Sequence, residues 1–404
     1  MLFRSTLTLR YVSSTLKVGD QIEVDIGSIA NGGHFVARHN GQVIFVRHAI
    51  EGERAIVEIT SISSKLARGD AISILTKSPD RVENPCKYSG PGKCGGCDFL
   101  HIDFIQQAKY KEQVVRELFN RIAKMEIDIS IQQVDPKTGY HWRNRVDFAI
   151  SKQGHIGFFG ARSNEIIEIS ECLALVKPIN QLDIFSRNWR GEDRVEVAST
   201  STSQINVSRG GRTIEGQSQL LEEVGEVKFQ LSPASFWQGH ISAAKTLSDK
   251  VLELVDIKEG DIVLDLYGGV GLFSKVLLKH YREIGKLHLI ESNEKATSDA
   301  HKNLAEFGSQ VSIHTGRVEQ RLTQIKKSDV VVLDPPRTGS GDLVNQLLIK
   351  LAPRKIIYVS CDPASLARDV AQLVGAGYKL GHISGYDLFP NTQHIECIAT
   401  FSRG

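Results

Sequence analysis

Four short apolar runs in the second half of the chain constrain its fold more than any other sequence feature. Each run is rich in Val, Ile or Leu and ends in a polar or glycine-containing sequence; the runs cover residues 262–266, 287–290, 330–333 and 356–359. A helical pattern follows the first run, so we expect parallel strands of a doubly wound α/β sheet, whose strand ends meet at one edge. The sequence therefore predicts functional residues at these strand ends.

The first run leads into a glycine-rich turn. The sequence Asp265-Leu266-Tyr267-Gly268-Gly269-Val270-Gly271 lets the backbone approach a ligand closely, because glycine carries no side chain. Glu291 ends the next run about 20 residues later, where an acid can accept hydrogen bonds from a ribose. The turn is not the G-x-G-x-x-G of dehydrogenases, and the four runs together favour a methyltransferase with an adenosyl cofactor. Taken alone, the turn also fits a generic nucleotide-binding fold.

The last run ends beside a cysteine. Cys361 follows Ser360, and Asp362 and Pro363 are typical of a helix start, with Asp as N-cap and Pro as the first helical residue. The positive end of that helix is expected to favour the thiolate, which a cysteine nucleophile requires. The alternative is a buried structural cysteine.

The N-terminal part has a different pattern. Residues 16–77 are typical of short alternating strands, separated by turns such as Asn31-Gly32-Gly33 and Asn40-Gly41. About five strands of this spacing predict a small OB-like barrel. The candidate phosphate contacts are Arg38, Arg47, His48, Lys65 and Arg68. Ordinary solvated charges are the alternative for each of them.

Three cysteines cluster after this region. Seven residues separate Cys86 from Cys94, and two residues, both glycines, separate Cys94 from Cys97. Glycines permit a tight loop that points two sulfurs at one metal, and Cys172 is the natural fourth ligand. This cysteine usage indicates a reducing compartment and a metal site rather than a disulfide framework. Iron–sulfur and zinc centres both take four thiolates.

Composition limits the possible partners. The net charge is +2 and the pI is about 8.1, so any RNA contact must come from local patches rather than a global field. No apolar run is long enough for a membrane span. A basic amphipathic helix is expected over residues 104–125. Residues 140–148 interleave arginines with aromatic rings, a pattern that suits single-stranded RNA. A partly buried strand is the alternative for the second segment.

These pieces resemble the S-adenosylmethionine-dependent RNA 5-methyluridine methyltransferases. The matching sequences are Phe236-Trp237-Gln238, the glycine turn after Asp265, Leu333-Asp334-Pro335-Pro336-Arg337, Ser360-Cys361-Asp362-Pro363 and His394-Ile395-Glu396. The resemblance covers nearly the whole chain. It implies an OB-like TRAM domain over residues 1–80, a central α+β RNA-binding domain with an iron–sulfur site over 81–228, and a doubly wound methyltransferase domain over 229–404.

The resemblance also implies the site residues. Cys361 is expected to be the nucleophile and Glu396 the base. The residues expected to bind S-adenosylmethionine are Gln238, Tyr267, Leu272, Glu291 and Asp334, although Leu272 replaces a more usual polar residue. Those expected to hold a [4Fe-4S] cluster are Cys86, Cys94, Cys97 and Cys172, with a longer first spacing than is common. We expect a cytoplasmic monomer that modifies 23S rRNA, with tRNA as the alternative.

The expected chemistry explains why these residue types occur together. Uracil C5 is a poor nucleophile, and attack of Cys361 on C6 makes C5 nucleophilic. Glu396 then removes the C5 proton, and its apolar neighbours are expected to raise its pKa. A base in a duplex cannot be attacked in this way, so the uridine must be single-stranded or flipped out, with Phe236 or Trp237 stacking beside it. Asp334 is expected to accept from uracil N3–H or the cofactor amine.

Three other functions predict different residues at these positions. RNA 5-methylcytosine enzymes are expected to show Pro-Cys where this chain has Asp334-Pro335-Pro336. Base-amino methyltransferases usually carry an aromatic residue at the position of Arg337. A non-catalytic iron–sulfur RNA-binding protein is expected to lack Cys361 or Glu396, and both are present.

Overall fold

The computed structural model describes residues 16–63 and 66–403. The described residues up to Glu83 form one compact unit, and those from Asn84 onward form a second. Lys65, one of the expected phosphate contacts, lies outside the described residues. The domain boundaries expected near residues 80 and 228 stay predictions.

The first unit is a small closed barrel. Its strands within the described residues are β1 (Gln21–Ala30), β2 (His34–His39), β3 (Gln42–Arg47), β4 (Arg54–Ile62) and β5 (Ala67–Thr76). They close in the order β1-β2-β3-β5-β4, and β1 pairs with β4. Val24, Ile44 and Val46 fill the interior, as the alternating pattern requires. The predicted OB-like barrel is confirmed.

The second unit begins with a helix and a sheet. Helix α1 (Phe104–Leu118) starts at the N-cap Asp103, continues as a π-helical turn over Phe119–Ala123, and leads to strand β6 (Ile131–Gln133). The next strands are β7 (Arg145–Ile150), β8 (Ile156–Phe159), β9 (Ile166–Glu168), β10 (Arg194–Ser199), β11 (Ile205–Arg209) and β12 (Arg212–Gly216), with the short helix α2 (Lys177–Asn180) between β9 and β10. In this part of the described chain they form one sheet in the order β12-β11-β10-β7-β8-β9.

A hairpin leads into the C-terminal domain. It consists of β13 (Leu220–Val224) and β14 (Val227–Leu231). The helices that follow are α3 (Ala243–Leu254), α4 (Leu272–His280), α5 (Glu294–Leu304), α6 (Val318–Arg321), α7 (Gly341–Leu351) and α8 (Pro363–Gly375). The strands are β15 (Ile262–Leu266), β16 (Lys286–Glu291), β17 (Val311–Thr315), β18 (Val330–Leu333), β19 (Lys355–Ser360), β20 (Tyr378–Asp387) and β21 (Glu396–Arg403).

These strands form a doubly wound sheet. Its order within the described residues is β17-β16-β15-β18-β19-β21-β20-β6, with β15 to β19 parallel and β21 antiparallel to β19. Both faces are buried: Val330 and Val332 belong to one hydrophobic core, and Val331 and Leu333 to the other. The continuous apolar run in β18 follows from this two-sided burial. The expected α/β architecture is confirmed.

The expected position of the strand ends is also found. Since β15, β16, β18 and β19 are parallel and β21 runs the opposite way, the last residues of the first four strands and the first residue of β21 meet at one edge. No helix in the described part of the chain is sufficiently long and apolar to cross a bilayer.

Candidate active site

Cys361 lies between a strand end and a helix start. Strand β19 ends at Ser360, and α8 begins at Pro363 with Asp362 as its N-cap. The Asp362 Oδ1 atom accepts a hydrogen bond from the Ser365 N–H at 2.7 Å. The predicted local structure is therefore confirmed. Cys361 is half-buried, so the thiol is held in place while part of it stays accessible.

Glu396 lies beside Cys361 because of the register of two strands. Ser360 is opposite Cys397 in the antiparallel pair of β19 and β21. Cys361 follows Ser360 and Glu396 precedes Cys397, so these two residues lie next to that pair along the two strands. Glu396 is only 4% exposed, although it begins its strand. Burial raises the pKa of the Glu396 carboxyl well above its usual range, and the neighbouring Asp334 carboxylate raises it further. The expected burial of Glu396 is confirmed.

The electrostatic environment of Cys361 differs from the expectation. Burial raises the pKa of the Cys361 thiol to about 12, and the Glu396 and Asp334 carboxylates contribute to this rise, whereas Arg337 opposes it. The helix start alone therefore does not lower the pKa of this thiol below its usual value, although the sequence predicts that it does. Desolvation and two nearby negative charges outweigh one helix end, whose field falls off within a turn.

Asp334 connects this pair to the glycine turn. It follows β18 directly, and its N–H donates to the Leu266 carbonyl oxygen at 3.3 Å. Burial raises the pKa of the Asp334 carboxyl, and the Asp265 carboxylate raises it further. Acidic groups thus run from the glycine turn through Asp334 to Glu396 along the edge of the sheet.

The glycine turn is held by two acids. The buried Asp265 accepts from the Ser274 N–H at 3.0 Å and from the Ser274 hydroxyl at 2.6 Å, which shapes the turn as expected. Glu291 accepts from the Gly269 N–H at 3.0 Å through Oε2 and from the Asn293 N–H at 2.7 Å through Oε1. Glu291 therefore joins the end of β16 to the turn.

Glycine is required at one point of the turn by close packing. A Cβ atom on Gly268 would lie 2.7 Å from the Leu289 Cγ atom. Tyr267 has a φ of 61°, and its hydroxyl donates to the Ser340 carbonyl oxygen at 3.4 Å. Leu272 is buried in the hydrophobic core and brings no polar group to the turn.

The Phe236-Trp237-Gln238 sequence presents its residues in different ways. Phe236 is 72% exposed, whereas Trp237 is buried and packs against Phe229 with ring centroids 5.2 Å apart. Of the two rings expected to stack on a base, Trp237 is therefore excluded by its packing, and Phe236 is the accessible one. Gln238 is half-buried.

The four expected metal ligands line one pocket. Cys86, Cys94, Cys97 and Cys172 share its wall with Trp142 and Arg143. The close turn between the second and third cysteines needs glycine, because a Cβ atom on Gly95 would lie 2.9 Å from the Ala161 Cα atom. Cys86 lines the same pocket as Cys94 and Cys97, although seven residues separate it from Cys94.

The pKa of the thiols in this pocket indicates whether a bound metal would be favourable. Burial raises the pKa of the Cys97 thiol well above its usual range, and the Cys172, Cys94 and Cys86 thiolates raise it further. Four thiolates this close are costly without a cation, so the donor set suits a cationic metal centre. No three His, Cys, Asp or Glu side chains in residues 16–63 and 66–403 are grouped closely enough for a single metal ion.

The aromatic and arginine segment is largely internal. Trp142 is 3% exposed and stacks on His240, with ring centroids 5.7 Å apart, and Phe148 is fully buried. Arg145 forms an ion pair with the buried Glu222, at 3.5 Å between Nη2 and Oε1. The prediction that these residues stack on RNA is wrong for Trp142 and Phe148. The Trp142 ring packs against His240 and Phe389, and the Phe148 ring lies in the core of the central sheet.

An accessible aromatic residue was missed nearby. Phe159 is 42% exposed, and the Arg194 guanidinium lies over its ring at 6.0 Å from the centroid. Its neighbour Phe158 is half-buried, and only the alternation of side chains along β8 distinguishes the two rings. In the barrel, Arg38 is exposed, while Arg47, His48 and Arg68 are half-buried.

Comparison with known proteins agrees with this geometry. Residues 217–403 match the family described as tRNA (Uracil-5-)-methyltransferase, and residues 15–72 match the TRAM domain. An uncharacterized RNA methyltransferase of Streptomyces avermitilis is 36% identical, over 95% of this chain and 98% of the relative. One of Corynebacterium glutamicum is 33% identical, over 96% and 98%.

A solved structure shares the whole fold. It is the tRNA (uracil-54, C5)-methyltransferase of Pyrococcus abyssi in complex with S-adenosyl-L-homocysteine. The TM-score is 0.73 at 23% sequence identity, and the match covers 94% of this chain and 100% of that chain. At this level of identity the likeness concerns the fold.

Proposed function

The chain belongs to the RNA methyltransferases that carry a tRNA (uracil-5-)-methyltransferase domain and a TRAM domain. We propose that it methylates C5 of a uridine, with Cys361 and Glu396 as its catalytic residues. Enzymes of this family transfer the methyl group of S-adenosylmethionine to uracil C5. The observation that carries the proposal is the adjacency of Cys361 and Glu396 at the end of the β19–β21 ladder.

Cys361 supplies the nucleophile. Its sulfur forms a bond to C6 of the uracil, and the electron pair of the C5–C6 double bond moves toward C5 and the O4 oxygen. This makes C5 an enolate carbon that can accept a methyl cation equivalent. S-adenosylmethionine supplies that methyl group when it is bound. Because burial and the nearby carboxylates raise the pKa of the thiol, attack requires that substrate binding change the charges around it or that a base take the thiol proton.

Glu396 removes the C5 proton after methyl transfer. The carboxylate takes this proton, the C5–H electrons restore the C5–C6 double bond, and the Cys361 sulfur leaves as thiolate. A carboxyl with a raised pKa is suited to this step, since a stronger base accepts a proton from carbon more readily. Asp334 lies near both groups, which supports the proposal that it accepts from the uracil N3–H or from the cofactor amine.

The residues proposed to hold S-adenosylmethionine surround the glycine turn. Glu291 is fixed at the end of β16 by two backbone N–H groups, which supports the proposal that its carboxylate accepts from a ribose hydroxyl. Tyr267, Asp334 and Gln238 complete the expected set. Leu272 contributes packing only, because it lies in the core.

The four cysteines are proposed to hold a [4Fe-4S] cluster with a structural role. Four thiolates also suit one tetrahedral zinc ion. The four cysteines line a common pocket, and the resemblance to enzymes that hold a [4Fe-4S] cluster with this set of ligands supports the cluster over zinc. When bound, the cluster supplies positive charge that stabilises the thiolates.

We propose a uridine in 23S rRNA as the substrate. The four-cysteine pocket supports this choice, because the resemblance associates the cluster with enzymes of ribosomal RNA. A uridine in tRNA is the second candidate, which the family description and the Pyrococcus abyssi enzyme favour. Mapping 5-methyluridine in both RNAs from a deletion strain, complemented with wild type or Cys361→Ala, decides between them.

Compartment and assembly are proposed on simpler grounds. All six cysteines are described and none forms a disulfide, which supports a reducing cytoplasmic environment. We propose that the protein acts as a monomer, which size-exclusion chromatography with light scattering can test.

The mechanism is tested with two variants that fail at opposite ends of one pathway. Cys361→Ala should abolish both methylation and covalent capture of RNA. Glu396→Gln should attack and methylate but not release, and therefore accumulate a protein–RNA adduct that resists denaturing electrophoresis. Cys397→Ala is the matched control, since this buried neighbour only packs and its loss should leave turnover intact. Normal turnover by Glu396→Gln, or an adduct with Cys361→Ala, would overturn the assignment.

A further inference from the structure

One buried asparagine holds the segment that precedes Glu396 through hydrogen bonds. Asn391 lies between β20 and β21, is 6% exposed and has a φ of 62°. Its side-chain Nδ2 donates to the Gly139 carbonyl oxygen at 2.6 Å, and its Oδ1 accepts from Gln107 Nε2 at 3.0 Å. Its own N–H donates to Gln107 Oε1 at 2.9 Å. Each polar group of this residue thus has a partner on another part of the chain.

The loop that carries Cys97 holds the same segment. The N–H groups of Asp98 and Phe99, which directly follow Cys97, both donate to the Asn391 carbonyl oxygen, at 2.9 and 3.0 Å. Asp98 Oδ2 also accepts from the Gln393 N–H at 3.3 Å. Residues of the cysteine loop are therefore bonded directly to the chain just before Glu396.

Helix α1 fixes the other end of the segment. Lys111 Nζ donates to Asp387 Oδ1 at 2.6 Å and to the Phe389 carbonyl oxygen at 3.2 Å. The packing around Asn391 is also close, because a Cβ atom on Gly139 would lie 3.0 Å from Asn391 Nδ2. The segment of residues 387–395 is thus hydrogen-bonded both to the cysteine loop and to α1.

Cys361 is held by different contacts. It follows β19, and its neighbour Asp362 caps α8, and neither takes part in the bonds to Asn391 that are given above. A change at Asn391 should therefore move the proposed base more than the proposed nucleophile.

We propose that Asn391 is a positioning residue: its carbonyl oxygen bonds the loop of the four-cysteine pocket, its side chain fixes the segment before Glu396, and together these contacts set the rate of C5 proton removal. The inference rests on the proposed function, because it takes Glu396 as the base. It adds a route by which the state of the cysteine loop affects one step of the reaction and not the step before it.

The variant Asn391→Gly gives a direct test. Glycine accepts a positive φ and keeps the backbone bonds, so only the two side-chain bonds to Gly139 and Gln107 are lost. The probe is total RNA from a deletion strain, with labelled S-adenosylmethionine under single-turnover conditions. Adduct formation should change less than about twofold, while adduct release should slow about tenfold or more, as expected when buried hydrogen bonds are lost. The adduct should therefore accumulate.

Controls separate positioning from general destabilisation. Asn206 is also buried, with side-chain bonds to Thr213 and Gln217 within the central sheet, so Asn206→Ala should not change the ratio of adduct to product. Equal slowing of both steps in Asn391→Gly, or release at the wild-type rate, would overturn the inference. If Glu396→Gln itself forms no adduct, the proposed function fails instead, so the two failures are distinguishable.

A second measurement does not depend on activity. Hydrogen exchange of the anaerobically purified protein is compared before and after metal removal with a chelator. Exchange should rise in the peptide covering residues 388–396 and stay unchanged in the peptide covering residues 355–366, which contains Cys361. Unchanged exchange in the first peptide would overturn the coupling to the cysteine pocket.

Discussion

Ser360 lies opposite Cys397 in the antiparallel ladder of β19 and β21, and this register makes Cys361 and Glu396 neighbours. The thiol directly follows the end of β19, and the carboxyl belongs to the first residue of β21, the adjacent strand in the sheet. A site built at strand ends is more rigid than one on loops, which suits two groups that must act on adjacent ring carbons. Asp334, at the end of β18, lies beside both.

The first prediction concerns the reactivity of Cys361. Because burial and carboxylates raise the pKa of this thiol to about 12, alkylation by iodoacetamide should be slow at neutral pH. It should rise about tenfold per pH unit below that pKa, since the thiolate is the reactive form. Peptide mass spectrometry, read at the Cys361 peptide, gives the rate.

Two variants should shift this reactivity in opposite directions. At alkaline pH, where the carboxylates are charged, Glu396→Gln should speed alkylation because it removes a negative charge that raises the pKa of the thiol. Arg337→Ala should slow it, because the guanidinium lowers that pKa. Fast alkylation of the wild-type thiol at neutral pH would contradict the electrostatic account.

Sequence patterns predicted this site well where the determinants were local. The strand ends, the cap at Asp362 and the position of Glu291 follow from residues close in the chain. The pKa of Cys361 was predicted in the wrong direction, because it depends on Glu396, which joins the site only through strand pairing. Trp237 and Trp142 were expected to contact RNA, but their burial depends on Phe229 and His240, partners that no local pattern identifies.

The second prediction concerns cofactor binding. Glu291→Gln should weaken S-adenosylmethionine binding about tenfold or more, because a neutral amide accepts hydrogen bonds less strongly and its NH₂ group conflicts with the Gly269 N–H. Isothermal titration calorimetry measures the change. Glu294→Gln, at an exposed position in the first turn of α5, is the control and should bind normally. Equal affinities of the two variants would remove Glu291 from the site.

The third prediction concerns the metal. Anaerobically purified protein should contain four iron ions and four sulfides per chain, with visible iron–thiolate absorption. Cys172→Ser should lose most of the iron and that absorption, while Cys397→Ala should keep both, because Cys397 is packed away from the pocket. Stoichiometric zinc without iron in the anaerobic wild-type protein would refute the cluster.

The fourth prediction concerns the buried ion pair of Lys111 and Asp387, whose side chains are 1% and 0% exposed. Lys111→Met leaves a buried carboxylate without its partner and should lower the free energy of unfolding by about 3–5 kcal/mol. Adding Asp387→Leu should recover part of this loss. Urea denaturation provides the values. Lys245→Met breaks the exposed pair with Asp249 and should change stability by about 0.5 kcal/mol at most. No recovery in the double variant would argue against the charge as the cause.

The last prediction links the chemistry of Glu396 to stability. Its pKa is raised in the folded protein, so the native state holds the proton more tightly than the unfolded chain does. The favourable contribution of the neutral carboxyl is therefore present below the unfolded pKa and lost as the pH rises through the folded pKa. Glu396→Gln never acquires the charge, so its stability advantage over wild type should grow from acidic to alkaline pH, by a few degrees in Tm. The variant also relieves Asp334 of a negative neighbour, which acts in the same direction. Thermal denaturation across this pH range gives the difference, and Glu259→Gln, at an exposed position, should follow wild type throughout. A Glu396→Gln protein that is less stable than wild type at every pH would show that the buried carboxyl stabilises the fold. It would contradict the view that Glu396 lowers stability and is retained for proton removal.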